Sequence, residues 1–406
     1  MRRVSRFQQV MEALPRSVFD ETVARNKGNK YRETFRCWDQ FSAMCFAQLS
    51  GCTSLRKLVA SFNEDEGTRQ ALGVGWLSRS TLADANCKVK LTIFDEVARF
   101  LMSGTCRHLR QQGRELLYLL DSTSISLTVR GMKRWTAAHR IRGTQGLKVH
   151  ILAPQGDDTA LNYIKITHPN VNDESVAQRL PLESGQIYVF DKGYCDYNWW
   201  HRIDEIGSRF VTRFKSNTAV KPVPSNPIPP SAQGIILADE IVTFSRRVPR
   251  GGYRNHYYAQ PLRRITINRP DHPEGKPLIL VTNDLDSPAM LIGDYYRCRW
   301  AIELLFKWIK QHLQVKKYLG ENERAIRFQI LVAMITYLLL LSLKQTHRLE
   351  LALYLILEKL QHTLWIRDDL IAALEHPSRK RPPTPKSQPR PKKIQPTREP
   401  LAAVAA

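Results

Sequence analysis

The stretch from Ser287 to Leu313, SPAMLIGDYYRCRWAIELLFKWIKQHL, organises the reading of the whole chain, because its residues sort into two faces. It reads as a single helix. Ser287 suits the N-cap, where a hydroxyl accepts an orphan backbone N–H, and Pro288 follows at the first helical position, where a missing N–H costs nothing. Gly293 is the one interruption. At about 100° per residue, Ile302, Leu305, Phe306, Ile309 and Leu313 fall on one arc, the buried face of an amphipathic helix. Beside that arc lie Tyr296, Arg299, Glu303 and Lys310, whose directions cluster within roughly 60° of one another. One carboxylate is thus flanked by two cations and a phenol at the edge of the core. A solvated salt-bridge face gives the same spacing, with Arg299 and Glu303 as its i,i+4 pair. Spacing alone leaves both readings open.

The chain has 406 residues, 43% of them hydrophobic, enough for a large core and two or three domains. A formal net charge of +23 points to a polyanionic partner, nucleic acid before a membrane surface. Seven scattered cysteines without a C-x2-C pair favour a reduced cytosolic protein with neither disulfides nor a zinc site. The N-terminus lacks the apolar core of a signal peptide. The longest apolar run, Ile330 to Leu343, is too short to span a bilayer and contains Thr336 and Ser342, so a buried helix is expected there.

Residues 1 to about 110 read as helical. Leu55, Leu58, Val59 and Phe62 keep helical spacing, and STLADANCKVKLTIFDEVARFLM begins with Ser80 as a candidate cap ahead of Phe94, Val97 and Leu101. Basic residues are frequent between these helices, among them Arg25, Lys27, Lys30, Arg32, Arg36, Arg56 and Lys57. A DNA-binding domain and a plain helical cap on the core both fit.

From Arg114 the period changes. ELLYLLDSTSISL is a short apolar run ending on Asp121, and LKVHILAP and ALNYIKITH alternate as an antiparallel meander would. SGQIYVFDKGY then supplies a buried strand, Ile187 to Phe190, ending on Asp191. Either aspartate alone reads as a turn cap; the pair, together with Glu303, is harder to explain that way. GIILADEIVTF, HYYAQPLRRITI and PLILVTND look like further strands, broken by the proline-rich PVPSNPIPP and the turn VPRGGYRN. Beyond Lys310 the chain reads as helical to about Glu375. From His376 to Pro400, eight prolines and eight Lys/Arg against one acid make a disordered basic tail. The tail carries +7 of the +23, leaving +16 on the folded part, and would add salt-sensitive, sequence-independent DNA affinity.

Y-x2-R-x3-E-x6-K, standing as Tyr296, Arg299, Glu303 and Lys310, resembles the signature around the last catalytic carboxylate of the insertion-sequence transposases of the family numbered four. DSTSI and FDKGY, around Asp121 and Asp191, resemble that family's first and second aspartate motifs, in the right order. The resemblance covers Asp121 to Lys310 well and the flanks more weakly. It implies an α/β fold, a ribonuclease-H-like mixed-sheet core interrupted by a β-rich insertion, with a helical N-terminal domain that binds the element's terminal repeats. On this reading 1–112 is the DNA-binding domain, 113–215 and 286–345 the catalytic core, 216–285 the insertion, 346–375 C-terminal helices and 376–406 the basic tail.

Asp121, Asp191 and Glu303 are then the catalytic triad. Three carboxylates without histidine or thiol ligands form a hard oxygen site suited to two Mg²⁺ ions, with Mn²⁺ able to substitute, rather than zinc. By the same resemblance Tyr296, Arg299 and Lys310 contact the DNA end, and Arg213 and Lys215, in FVTRFKSN, match a basic motif close to the site; an ordinary surface strand explains those last two equally well. The implied activity is cleavage at insertion-sequence ends and joining of the 3′ hydroxyls to target DNA, by a homodimer on double-stranded DNA. Its place would be the bacterial cytoplasm at the nucleoid, away from membranes. A ribonuclease-H-like nuclease or resolvase, or a transposase-derived DNA-binding protein without catalysis, are the alternatives, the last disfavoured because no triad carboxylate is missing. Relatives that form hairpin intermediates stack an extruded base on an aromatic residue of the insertion, often tryptophan. Here 215–285 holds no tryptophan, so Tyr253 is the candidate for such stacking, with Tyr257 and Tyr258 better explained by strand packing.

Overall fold

A computed structural model describes residues 4–111, 115–127, 135–136, 145–156, 159–215, 218–245, 258–270 and 275–375. The chain opens with seven helices: α1 (Arg6–Met11), α2 (Arg16–Arg25), α3 (Cys37–Leu49), α4 (Leu55–Asn63), α5 (Glu66–Ala71), α6 (Arg79–Cys87) and α7 (Leu91–Gln111). Leu58 and Phe62 are the buried side of α4, whose first turn is capped by Ser54 accepting from the Lys57 N–H at 3.2 Å. The stretch expected to start one helix at Ser80 forms two. Ser78 caps α6 through the Thr81 N–H, and Lys88 to Lys90 separate it from α7.

Next come β1 (Leu117–Ser126), β2 (Gly146–Pro154), β3 (Tyr163–Thr167), α8 (Asp173–Ala177), β4 (Ile187–Phe190), α9 (Tyr197–Glu205) and β5 (Arg209–Thr212). They are followed by β6 (Val220–Ser225), β7 (Ile236–Phe244), β8 (Leu262–Ile267) and β9 (Leu278–Thr282). All nine strands join one sheet in the order β3-β2-β1-β4-β5-β9-β8-β7-β6. The pairs β1–β4 and β4–β5 are parallel and every other pair is antiparallel. This is a mixed sheet in the ribonuclease-H-like manner, and the strands between 220 and 282 extend it beyond β5. One of them was hidden in the sequence: β6 runs through Pro222 and Pro224 of the proline-rich stretch, at the sheet edge, where a strand tolerates residues that cannot donate to the ladder.

Burial of the central strands on both faces explains their continuous apolar runs. Ile187 and Val189 of β4 face one core, and Tyr188 and Phe190 face the other, where Trp199 of α9 packs on Phe190 and Trp200 on Phe210. The first core is closed by α10 (Ala289–Cys298), α11 (Trp300–His312), α12 (Glu323–Thr346), α13 (Leu353–Gln361) and α14 (Leu370–Glu375). The run Ile330 to Leu343 is the buried heart of α12, as expected. This helix is long and apolar enough to cross a bilayer, yet it is almost wholly enclosed, packed on α7 and α3, which makes it a core helix. The two ends of the fold meet around it: Trp365 stacks on Phe46 with centroids 4.7 Å apart, and Arg6 grips Asp368 through two nitrogens at 2.6 and 2.7 Å.

The opening stretch is two helices rather than one. The Arg299 N–H donates to the Tyr296 carbonyl and the Ile302 N–H to the Arg299 carbonyl, both i→i−3 bonds, so the backbone tightens into a 3-10 turn between α10 and α11. Nor does Ser287 cap α10. Pro288 takes the N-cap position, while the Ser287 hydroxyl accepts from Arg209 at 3.0 Å. The apolar arc holds: Ile302, Leu305, Phe306, Ile309 and Leu313 are all buried.

Candidate active site

Parallel pairing between β1 and β4 ends at Leu120 opposite Phe190, so the next residue on each strand, Asp121 and Asp191, emerges side by side at one edge of the sheet core. Asp191 does follow the last residue of its strand. Asp121 does not end one, because β1 continues to Ser126 along β2. The buried face of α11 packs across β1 and carries Glu303 and Lys310 to the same place. Asp121, Asp191 and Glu303 together line an open cavity of about 710 Å³, with Asp173, Lys148 and Lys310 among its other walls.

Guanidinium groups hold the carboxylates together. Arg299 donates from Nη1 to Asp121 at 2.9 Å and pairs through Nη2 with Glu303 at 2.6 Å. Arg213 donates from Nε, at 3.2 Å, and from Nη2 to Asp191 Oδ1. Both guanidiniums lie against the Tyr296 ring, 5.6 and 5.9 Å from its centroid, and the Tyr296 hydroxyl stands 3.5 Å from Asp191 Oδ1. Lys310 reaches the Thr123 hydroxyl at 2.5 Å, two residues beyond Asp121. The α10–α11 edge therefore faces the two aspartates, and its Arg299–Glu303 pair is also the i,i+4 salt bridge that the spacing allowed. Lys215 stands apart: it pairs with Glu174 and does not touch the triad.

The charges feel one another. Burial pushes the Asp121 carboxyl up to about 6, against the Ser122 N–H and Arg299, and the negative charges of Asp191 and Glu303 push the same way. Burial also raises Asp191, but the hydrogen bond and charge of Arg213, with help from the Lys192 N–H and Arg299, outweigh it and hold that carboxyl below the usual range. One buried acid is thus strained by its ionised form while its neighbour is kept ionised.

Sequence reasoning missed a fourth carboxylate. Asp173 takes the Lys148 ammonium at 2.7 Å and the Ser122 hydroxyl at 3.1 Å, and burial is outweighed by His150 and Lys148 to hold its carboxyl low. The available signal was faint: a lysine and a histidine, Lys148 and His150, on the same face of an otherwise apolar strand. Of the aromatic candidates for base stacking, Tyr258 is buried against Phe210, as its packing reading requires. Tyr253 and Tyr257 lie outside the described residues, as does the basic tail.

Two carboxylates on adjacent parallel strands, completed by a glutamate from a following helix, form the constellation by which polynucleotidyl transferases are known in the family resembled above. A profile described as the transposase DDE domain matches residues 112–339. The chain belongs to the DDE transposases. A putative transposase, y4zB, of Sinorhizobium fredii is 37% identical over 313 residues, 77% of this chain and 83% of that one. A probable transposase for insertion sequence element IS5377 of Geobacillus stearothermophilus is 27% identical, covering 70% and 73% of the two chains. A putative transposase for insertion sequence element IS4SA of Synechocystis is 25% identical, covering 71% and 81%. Residues 2–74 match a domain described only as of unknown function. This protein is accordingly a DNA transposase of an insertion sequence, an enzyme that cleaves and transfers DNA strands.

Transposases with this domain use divalent metal ions. The donor set fits them: the three carboxylates offer only oxygen, and arginine balances their mutual repulsion. Among the described residues no three acidic, imidazole or thiol groups stand close enough to clasp one ion as they are. Arg299 is what stands between Asp121 and Glu303.

Proposed function

We propose that this transposase cuts at the ends of its insertion sequence and joins the freed 3′ hydroxyls to target DNA, with Asp121, Asp191 and Glu303 holding two Mg²⁺ ions. The observation that carries the reading is the convergence of these three carboxylates on one cavity, with Arg299 bridging two of them. When bound, the ions supply activation of an attacking oxygen and stabilisation of a leaving 3′ oxygen in an in-line displacement at phosphorus. The protein's share is positional. Asp121 and Asp191 are fixed by neighbouring strands, and Glu303 by a helix packed across one of them. Arg299 exchanges its carboxylate partners for phosphate oxygens of the DNA end, and its Nε, which no carboxylate holds, is a spare donor. Lys310, Arg213 and the Tyr296 hydroxyl supply further donors, and Lys215 a cation at the rim. Manganese substitutes for magnesium because the donors are hard oxygens.

We take residues 1–112 as the part that grips the terminal repeats, 113–215 with 286–345 as the catalytic core, and 216–285 as its insertion. A basic cavity of about 630 Å³ among Lys27, Lys30, Arg32, Lys88 and Lys90 supports the first assignment. The working form is a homodimer bridging two ends of double-stranded DNA. A positive charge of +23 and seven free cysteines support a cytoplasmic, nucleoid-associated enzyme.

The test uses purified protein, Mg²⁺ and a labelled fragment carrying the terminal repeats that flank the reading frame, beside Glu303→Gln. End nicking and joining to a plasmid by the wild type, absent in the variant, is the expected result. Salt-sensitive binding without cutting in either Mg²⁺ or Mn²⁺ would defeat the proposal.

A further inference from the structure

Beside the triad, along the wall of the same cavity, lies a polar cluster centred on Asp173. Asp173 Oδ1 accepts from Ser122 Oγ at 3.1 Å and from Lys148 Nζ at 2.7 Å, and Oδ2 accepts from the same ammonium at 2.8 Å. Ser122 follows Asp121, and its backbone N–H donates to Asp121 Oδ1 at 2.7 Å. Lys148 and His150 stand on β2 opposite Ser124 and Ser122. His150 is fully buried, with Nδ1 3.3 Å from Asp173 and 3.2 Å from the Tyr194 hydroxyl, and Nε2 3.0 Å from the Thr167 hydroxyl.

Tyr194 and Gly193 belong to the loop that begins at Asp191. A Cβ placed on Gly193 would sit 3.2 Å from Asp173 Oδ2, so this loop lies directly on the Asp173 carboxylate. Asp173 therefore touches the segment after the first aspartate and, directly and through His150, the segment after the second. Both of its oxygens are taken by donors of the cluster. Buried networks whose members are all satisfied are rigid. Rigidity matters here because ionised carboxylates facing one cavity repel and would splay apart.

We propose that Asp173 is a positioning residue, which fixes the separation of Asp121 and Asp191 by tying Ser122 to the Gly193–Tyr194 loop, and thereby sets the affinity of the site for divalent cations. This rests on Asp121, Asp191 and Glu303 being metal ligands. Partners behind the ligands commonly govern metal affinity by about 10–100-fold.

The experiment follows Mn²⁺ binding to the full chain by loss of the free-ion electron paramagnetic resonance signal, with thermal unfolding and the Mg²⁺ dependence of end cleavage measured alongside. Asp173→Ala weakens Mn²⁺ binding by about 10–100-fold and raises the half-saturating Mg²⁺ by a like factor, leaving end-DNA affinity unchanged. Asp173→Ala combined with Lys148→Met removes the stranded ammonium and recovers the lost Tm, yet Mn²⁺ binding stays weak, because Ser122 still lacks its acceptor. A double variant that recovers both Tm and Mn²⁺ affinity would make the role merely structural and overturn the proposal. Mn²⁺ binding lost in Asp121→Asn but unchanged in Asp173→Ala overturns this inference alone. Binding unchanged even in Asp121→Asn overturns the ligand assignment, and the inference falls with it.

Discussion

Replacing Asp121 by asparagine should make the metal-free transposase more stable at neutral pH while ending its activity. Burial raises the Asp121 carboxyl from 3.8 to about 6. Below pH 3.8 the proton is bound in folded and unfolded chains alike, so the group takes nothing from stability there. As pH rises through about 6 the folded chain must hold a buried, ionised carboxylate that the unfolded chain hydrates freely, and the corresponding loss is on the order of 3 kcal/mol. The asparagine side chain keeps the shape and loses that penalty. For a chain of this length the gain corresponds to roughly 3–4 °C in Tm at pH 8, shrinking to nothing towards pH 4. The assay is thermal unfolding in EDTA across pH 4–8, wild type beside Asp121→Asn. Added Mg²⁺ should then raise the wild type and leave the variant in place, because only one has the full ligand set. A variant that is less stable at pH 8, or whose advantage does not depend on pH, would refute the reasoning.

Other outcomes follow from single contacts. Asp239→Ala strands Arg263, whose guanidinium is 6% exposed and also holds the carbonyls of Leu285 and Ser287 that lead into α10; urea unfolding should show a loss of about 3–5 kcal/mol, and a loss below about 1 kcal/mol would contradict the buried pairing. Arg213→Gln removes the partner that keeps Asp191 ionised down to low pH, so the acid limb of the cleavage pH profile should move to higher pH; an unmoved limb would dissociate Asp191 from the reaction. Lys310→Ala should weaken end binding by about 1–3 kcal/mol and flatten the salt dependence by about one unit of slope, which filter binding at several salt concentrations would read.

Local pattern exposed much of this architecture. Ile187 to Phe190 is a strand buried on both faces, as its short apolar run ahead of Asp191 led one to expect. The spacing of Tyr296, Arg299, Glu303 and Lys310 survived the 3-10 turn at Arg299, although the turn itself left no trace, since any residue accepts a modest tightening of the helix. Pro222 and Pro224 read as loop because only the sheet order reveals that their strand is an edge. The length of β1 was hidden for the opposite reason: its hydroxyl-rich half, Ser122 to Ser126, is held by pairing with β2 and not by its own composition. Asp173 escaped notice because nothing in PNVNDES announces it. Its importance is tertiary, assembled from Lys148, His150 and Ser122 on two other strands.

On the proposed function, the carboxylates bridged by Arg299, with Asp191 beside them, are the seats of catalytic metal ions. Anomalous scattering from Mn²⁺ in crystals of the protein bound to an end-DNA duplex tests it most directly. Peaks coordinated by Asp121, Asp191 and Glu303, with Arg299 withdrawn to a phosphate, are the predicted result. Arg299 still joining Asp121 to Glu303, with no manganese at the three carboxylates, would contradict the account.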